Sequence, residues 1–168
     1  YSASELVTII ASQWPGETSG NSVQGKPYVV CTGGEPALQL DSALVDELHK
    51  AGFEVAIETN GTLPLPDGID WICLSPKGDS ELAVINCDEL KLVYPQADAP
   101  PERFDYIVAE HCYLQPMADF EPVVIASDKL EGAKEGLSVS NTRKAVDYCM
   151  KHPKWKLSLQ THKLLGIE

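Results

Sequence analysis

Pro-Tyr-Val-Val-Cys-Thr-Gly-Gly-Glu-Pro, residues 27–36, carries a short apolar run into a double glycine, a carboxylate and a proline. The run predicts a strand over Tyr28–Cys31, so Thr32–Glu35 falls where a strand hands over to a loop, the place at which parallel α/β folds gather their ligands. Without a Cβ, glycine takes positive φ and lets backbone amides and carbonyls approach a bound molecule. Gly33 and Gly34 are therefore candidate contact points, Glu35 a candidate anion for a cationic group, and Pro36 a stiff exit. A tight turn with a solvated Glu explains the same residues equally well, because short Gly-containing motifs recur by chance.

The flanking sequence alternates helix-like and strand-like segments. Leu6, Ile9, Ile10 and Trp14 recur at helical spacing over residues 2–14. Asp41 reads as the N-cap of a second helix lined by Leu44, Val45 and Leu48 and stopped at Gly52. Phe53–Glu58 predicts a strand closed by Thr59-Asn60-Gly61, and Trp71–Leu74 a buried one closed by Ser75-Pro76-Lys77. Leu90–Tyr94 stops at Pro95, and Cys112–Leu114 runs into Gln115-Pro116-Met117. A helix over Val139–His152, with Val146, Cys149 and Met150 on one side, precedes a last strand, Lys156–Gln160, and then Thr161-His162-Lys163. Such alternation implies a parallel sheet with right-handed crossovers, although some connections are too short to hold a helix. Five polar clusters thus follow the carboxyl ends of strands, which a parallel sheet or barrel places on one face, over one cleft.

Composition narrows the class. The 168 residues, 43% hydrophobic, suffice for one core and one domain spanning 1–168. A formal charge of −12, without any Lys/Arg-rich run, argues against nucleic acid or an anionic membrane as partner. No apolar run approaches the ~20 residues of a membrane span, and the N-terminus lacks a signal-peptide layout, so a cytoplasmic location is expected. Cys31, Cys73, Cys87, Cys112 and Cys149 are irregularly spaced with no CxxC pair, which favours neither a disulfide framework nor a self-contained metal site. Cys31, Cys73 and Cys112 read as small core residues. The chain opens on a helix without an initiator Met, as a fragment or a processed chain would.

Several strings in order resemble the 7-carboxy-7-deazaguanine synthase family of radical S-adenosylmethionine (SAM) enzymes: Cys-Thr-Gly-Gly-Glu-Pro at 31–36, Ile-Glu-Thr-Asn-Gly-Thr at 57–62, Asp-Trp-Ile-Cys at 70–73 followed by Ser-Pro-Lys, Leu-Gln-Pro-Met at 114–117 and Leu-Gln-Thr-His-Lys at 159–163. The resemblance implies an α/β fold, an incomplete radical SAM partial (β/α)6 barrel of mostly parallel strands that lacks the first strand and the cluster loop. It implies SAM contacts at Gly33, Gly34 and Glu35 for the methionine amine, at Glu58 and Asn60 near the ribose, and at Ser75, Pro76, Lys77, Gln115, Pro116, Met117 and Ala118. For the substrate, 6-carboxy-5,6,7,8-tetrahydropterin, it implies Thr32, His162 and the terminal Glu168.

The implied reaction is a ring contraction to 7-carboxy-7-deazaguanine, a queuosine precursor, with loss of ammonia. A reduced [4Fe-4S] cluster and SAM start it, and Mg2+ assists as a hard cation with oxygen ligands. An electron donor such as flavodoxin and a homodimeric state come with the family alone. The family's cluster cysteines precede the first helix, and the five cysteines here do not reproduce their motif. The chain alone is therefore expected to be inactive, with no residue assigned as catalytic or metal-binding and with an open sheet edge where the first strand is lacking. Residues 118–138 show no clear match to the family and read as a lineage-specific loop near the SAM site. Rival readings are a non-redox SAM or nucleotide-binding module, which would keep the Gly-Gly-Glu-Pro cleft, and a different radical SAM enzyme, against which the Gln-Thr-His-Lys tail argues.

Overall fold

The computed structural model describes residues 1–15, 25–118, 140–161 and 166. In chain order they form α1 (Ala3–Gln13), β1 (Tyr28–Cys31), α2 (Ser42–Lys50), β2 (Glu54–Thr59), β3 (Trp71–Leu74), β4 (Asn86–Tyr94), β5 (Val108–Pro116), α3 (Asn141–Lys151) and β6 (Trp155–Leu157), with short 3₁₀ turns at Pro36–Leu38 and Pro101–Phe104. The helices begin where side chains satisfy their free amides. Ser2 and Glu5 cap α1 reciprocally, Asp41 accepts from Leu44 N at 2.9 Å, and Ser140 accepts from Arg143 N at 3.2 Å.

The strands lie side by side in sequence order, β1-β2-β3-β4-β5-β6, and every pairing is parallel. Successive side chains of a strand point to opposite faces, and here the two faces differ in chemistry. On one, Val55 and Ile57 are buried beneath Val45 and Leu48 of α2, while Leu74, Leu90, Leu92, Cys112, Leu114 and Trp155 form a continuous core with Phe104 and Ile107. Each fully buried leucine contributes about 1.5–3 kcal/mol by leaving water. On the other face the register places Glu58, Cys73, Glu89 and His111 in one cross-strand row and Lys91 beside Tyr113 and Lys156 in the next.

Carboxylates close the ladder at the strand beginnings. Asp70 accepts from Val55 N at 2.8 Å and meets His49 Nε2 at 2.8 Å, and Asp88 accepts from Ile72 N at 2.7 Å. The Val55 amide, followed by His49, holds the Asp70 carboxyl below its ordinary range.

Four expectations change. β4 and β5 begin well before their apolar runs, at Asn86 and Val108. β6 ends at Leu157, so Ser158–Gln160 lie beyond it. Met150 is 79% exposed, and Ala145 faces inward in its place. In α1, Val7 is buried while Ile9 is exposed. The connections at 60–70, 75–85 and 95–107 contain no α-helix. Cys73 and Cys112 are buried as expected, whereas Cys31 is only half-buried. No helix among the described residues is long and apolar enough to cross a membrane.

Candidate functional site

A cavity of about 490 Å³ opens at the carboxyl ends of the strands, within the roughly 300–1,000 Å³ of small-molecule sites. Thr32, Gly33 and Gly34 line it from the end of β1, Glu58, Thr59 and Asn60 from β2, and Ser75 and Lys77 from β3. Lys91 and Val93 of β4, Gln115 of β5 and residues 158–161 beyond β6 complete it. Each of the five sequence clusters whose residues are described thus reaches one cleft. Thr161 is the last described member of the fifth, and His162 and Glu168 lie outside the described residues, as do 119–138.

Of the two glycines, Gly33 takes the positive φ that a Cβ-free residue allows. Gly33 has φ +106°, and a Cβ on Gly33 or Gly34 would meet nothing within 4 Å, so both present bare backbone to open space. Lys77 Nζ donates to Ser75 Oγ at 3.1 Å, which places a cation and a hydroxyl together on the rim. Glu58 has both oxygens engaged: Oε1 accepts from Lys91 Nζ at 3.1 Å and Oε2 from Thr32 Oγ1 at 3.4 Å.

Glu35 is turned away from the cleft. Its Oε1 accepts from Ala37 N at 3.0 Å and Thr59 Oγ1 at 2.7 Å, and its Oε2 accepts from Asn60 N at 2.8 Å. The carboxylate thus ties the β1 loop to the end of β2 and satisfies the hydroxyl of Thr59, a residue only 2% exposed. It lines a neighbouring cavity of about 720 Å³ instead. Pro76 is buried, Pro116 pairs with Tyr94, Met117 N donates to Tyr94 O at 2.7 Å, and Ala118 is exposed beyond the strand; none of them lines the 490 Å³ cavity.

Beneath the cleft lies a charged layer that sequence reading missed. Lys91, with a side chain 21% exposed, also meets Glu89 Oε1 at 3.5 Å, and Cys73 Sγ donates to that same oxygen at 3.5 Å. Burial works to lower the pKa of the Lys91 ammonium, but Cys73, Glu58 and Glu89 outweigh it and hold the ammonium above its usual range. Burial pushes the Cys73 thiol up to about 12, so it stays protonated. The available signal was a single cation inside an apolar run, Leu90-Lys91-Leu92-Val93.

Two relatives match almost the whole chain: the 7-carboxy-7-deazaguanine synthase of Bradyrhizobium diazoefficiens is 52% identical over 99% of the chain and 69% of its own length, and that of Bordetella pertussis is 50% identical over 98% and 68%. The chain belongs to the 7-carboxy-7-deazaguanine synthase family. The family's fold is present too, since the crystal structure of QueE from Escherichia coli superposes with a TM-score of 0.56 at 24% identity, covering 95% of this chain and 64% of that one. No family model matches the sequence. In this member of the 7-carboxy-7-deazaguanine synthase family the described strands form an all-parallel sheet whose ends carry the motifs that the sequence marked out.

Proposed function

We propose that the strand-end cavity binds SAM beside 6-carboxy-5,6,7,8-tetrahydropterin and serves its ring contraction to 7-carboxy-7-deazaguanine with loss of ammonia, a carbon–nitrogen lyase reaction of the radical SAM type. The observation that carries this reading is the gathering of Thr32, Gly33, Gly34, Glu58, Ser75, Lys77 and Gln115 around one cavity in a chain of this family. SAM has an ammonium, a carboxylate, a diol and an aromatic base, and the donor set offers a counterpart to each polar group. Gly33 and Gly34 offer backbone to the amino-acid end, with Lys77 and Ser75 available to its carboxylate. Glu58 and Asn60 face the ribose hydroxyls, and Gln115 serves the adenine side. Glu35 acts indirectly, by holding the Gly33-Gly34 loop against β2. The family resemblance assigns Thr32, His162 and Glu168 to the pterin, whose edge is rich in donors.

When bound, SAM supplies the hydrogen-abstracting group once an electron reaches it. A [4Fe-4S] cluster needs closely spaced thiolates. Cys31, Cys73, Cys87 and Cys112 stand on four different strands and Cys149 on α3. Burial raises all five thiols, and no three metal-ligating side chains gather among the described residues. These cysteines do not fit the cluster. Mg2+, an electron donor such as flavodoxin and a homodimeric assembly accompany the proposal as family properties.

Calorimetric titration of the 168-residue chain with SAM tests the site: saturable binding that Glu58→Gln weakens is expected, and no binding overturns it. Anaerobic incubation of the chain with iron, sulfide, dithionite, SAM and the pterin should yield no 7-carboxy-7-deazaguanine. Product formation would overturn the reading of the cysteines.

A further inference from the structure

Lys91 lies two residues short of the strand-end positions that form the rest of the cleft wall. Leu90 and Leu92 are 0% and 1% exposed on the helix-covered face, so the alternation of a strand sends Lys91 to the cleft side. There its ammonium meets Glu58 Oε1 at 3.1 Å and Glu89 Oε1 at 3.5 Å. Glu58 stands on β2 and Lys91 on β4, so this pair reaches across β3. The β3 residue between Glu58 and Glu89 in the cross-strand row is Cys73, whose small side chain leaves room for it.

A glutamate with a side chain 46% exposed and three rotatable bonds would sample many rotamers in water, at an entropic cost to any ligand that needs it in one. Glu58 is not left free. Lys91 takes one oxygen from below and the Thr32 hydroxyl takes the other from the side, leaving the outer lone pairs of the carboxylate open to the cavity. We propose that Lys91 is a positioning residue: it fixes the Glu58 carboxylate so that its free edge meets the vicinal hydroxyls of a ribose. This role rests on the reading of Glu58 as a ribose acceptor. Lys91 does not itself serve as an anion-binding residue, because two carboxylates already occupy its ammonium. Glu89 supports Lys91 from the side away from the cavity and does not line it.

The test pairs two ligands with three variants of the chain in calorimetric titrations: S-adenosylhomocysteine and its 2′,3′-dideoxyribose analogue against Lys91→Met, Glu58→Gln and their double mutant. Lys91→Met and Glu58→Gln should each weaken S-adenosylhomocysteine about tenfold, the double mutant should be no weaker than the worse single, and the dideoxy analogue should bind wild type and variants alike. If Glu58→Gln weakens the diol ligand and Lys91→Met does not, the Lys91 role fails while the Glu58 reading stands. If Glu58→Gln treats both ligands alike, the Glu58 reading fails and takes the Lys91 role with it. If Lys91→Met weakens both ligands equally, its role is structural and the proposal is overturned. Lys91→Gln, whose amide is uncharged and ends one atom short of the Lys91 ammonium, replaces Lys91→Met with the same expected outcomes should the latter not fold.

Discussion

Glu35 separates two physical roles that one motif residue can play, and Glu35→Gln tells them apart. In the native chain Oε1 accepts two hydrogen bonds and Oε2 one. A glutamine keeps an oxygen for Ala37 N and Thr59 Oγ1 but sets an NH2 against Asn60 N–H, a donor facing a donor. A hydrogen bond to a charged group contributes about 1.5–3 kcal/mol, and a stranded donor has its own penalty. Because Glu35 is only half-buried, the low end applies, about 2 kcal/mol. For a domain of this size 1 kcal/mol moves the melting temperature by about 2–4 °C, so Glu35→Gln should melt about 4–8 °C below wild type. Glu35→Ala, which removes all three contacts and with them the acceptor of the Thr59 hydroxyl, should fall about twice as far. Circular dichroism of thermal melts, with urea titrations to confirm an unchanged m value, measures both. The reasoning is refuted if Glu35→Gln melts with wild type while SAM affinity drops. That result would mean that the carboxylate serves the ligand and that its three internal contacts contribute nothing to the fold.

Gly61 has φ +79°, and a Cβ there would run into the Leu74 side chain, whereas Gly33 has φ +106° and open space around it. Gly61→Ala should therefore lose about 3 kcal/mol or more and Gly33→Ala about 1–2, read as urea midpoints. Asp70 has its folded pKa depressed, so its contribution is present above the ordinary value of about 3.9 and is lost as pH falls through the folded value. The stability gap between wild type and Asp70→Asn should accordingly be largest near neutrality and close below pH 4 in pH-dependent urea melts. Burial pushes Cys73 up to about 12 and Cys87 up to about 11, so iodoacetamide at pH 8 should leave both unmodified in the native chain on a timescale that alkylates them fully in urea.

The strands were legible where one face alone decides them. Tyr28–Cys31 and Trp71–Leu74 are short, and their predicted bounds match the structure. β4 and β5 were read too short for a physical reason. Their first halves, Asn86-Cys87-Asp88-Glu89 and Val108-Ala109-Glu110-His111, look like loop sequence because polar residues occupy both faces there: Glu89 and His111 stand in the polar row, and Asp88 on the other face caps β3 at Ile72 N. Periodicity rewards a buried apolar set, and a sheet with one polar face offers only half of one. Helix sides failed differently: Met150 and Ala145 lie on different turns of α3, and in a helix with few apolar residues the choice between a large exposed side chain and a small buried one depends on how close the sheet comes, which no spacing reports.

The site was legible in its strand-end clusters because each is local: a glycine pair, an acid or a proline beside the end of one strand. What could not be read were relations between strands. Glu35 looks like a ligand group in its own motif, and only the parallel register of β1 and β2 brings Thr59 and Asn60 to its carboxylate. Lys91 belongs to no strand-end cluster, and only the distance across β3, past the small Cys73, turns it into a partner for Glu58. Both relations have the same cause. In a parallel sheet the residues that touch are separated by a whole crossover, here 24 positions for Glu35 with Thr59 and 33 for Lys91 with Glu58, so the chemistry of a strand end is set by its neighbours in space. A motif can therefore announce where a ligand binds while leaving open which of its side chains touches that ligand and which holds the others in place.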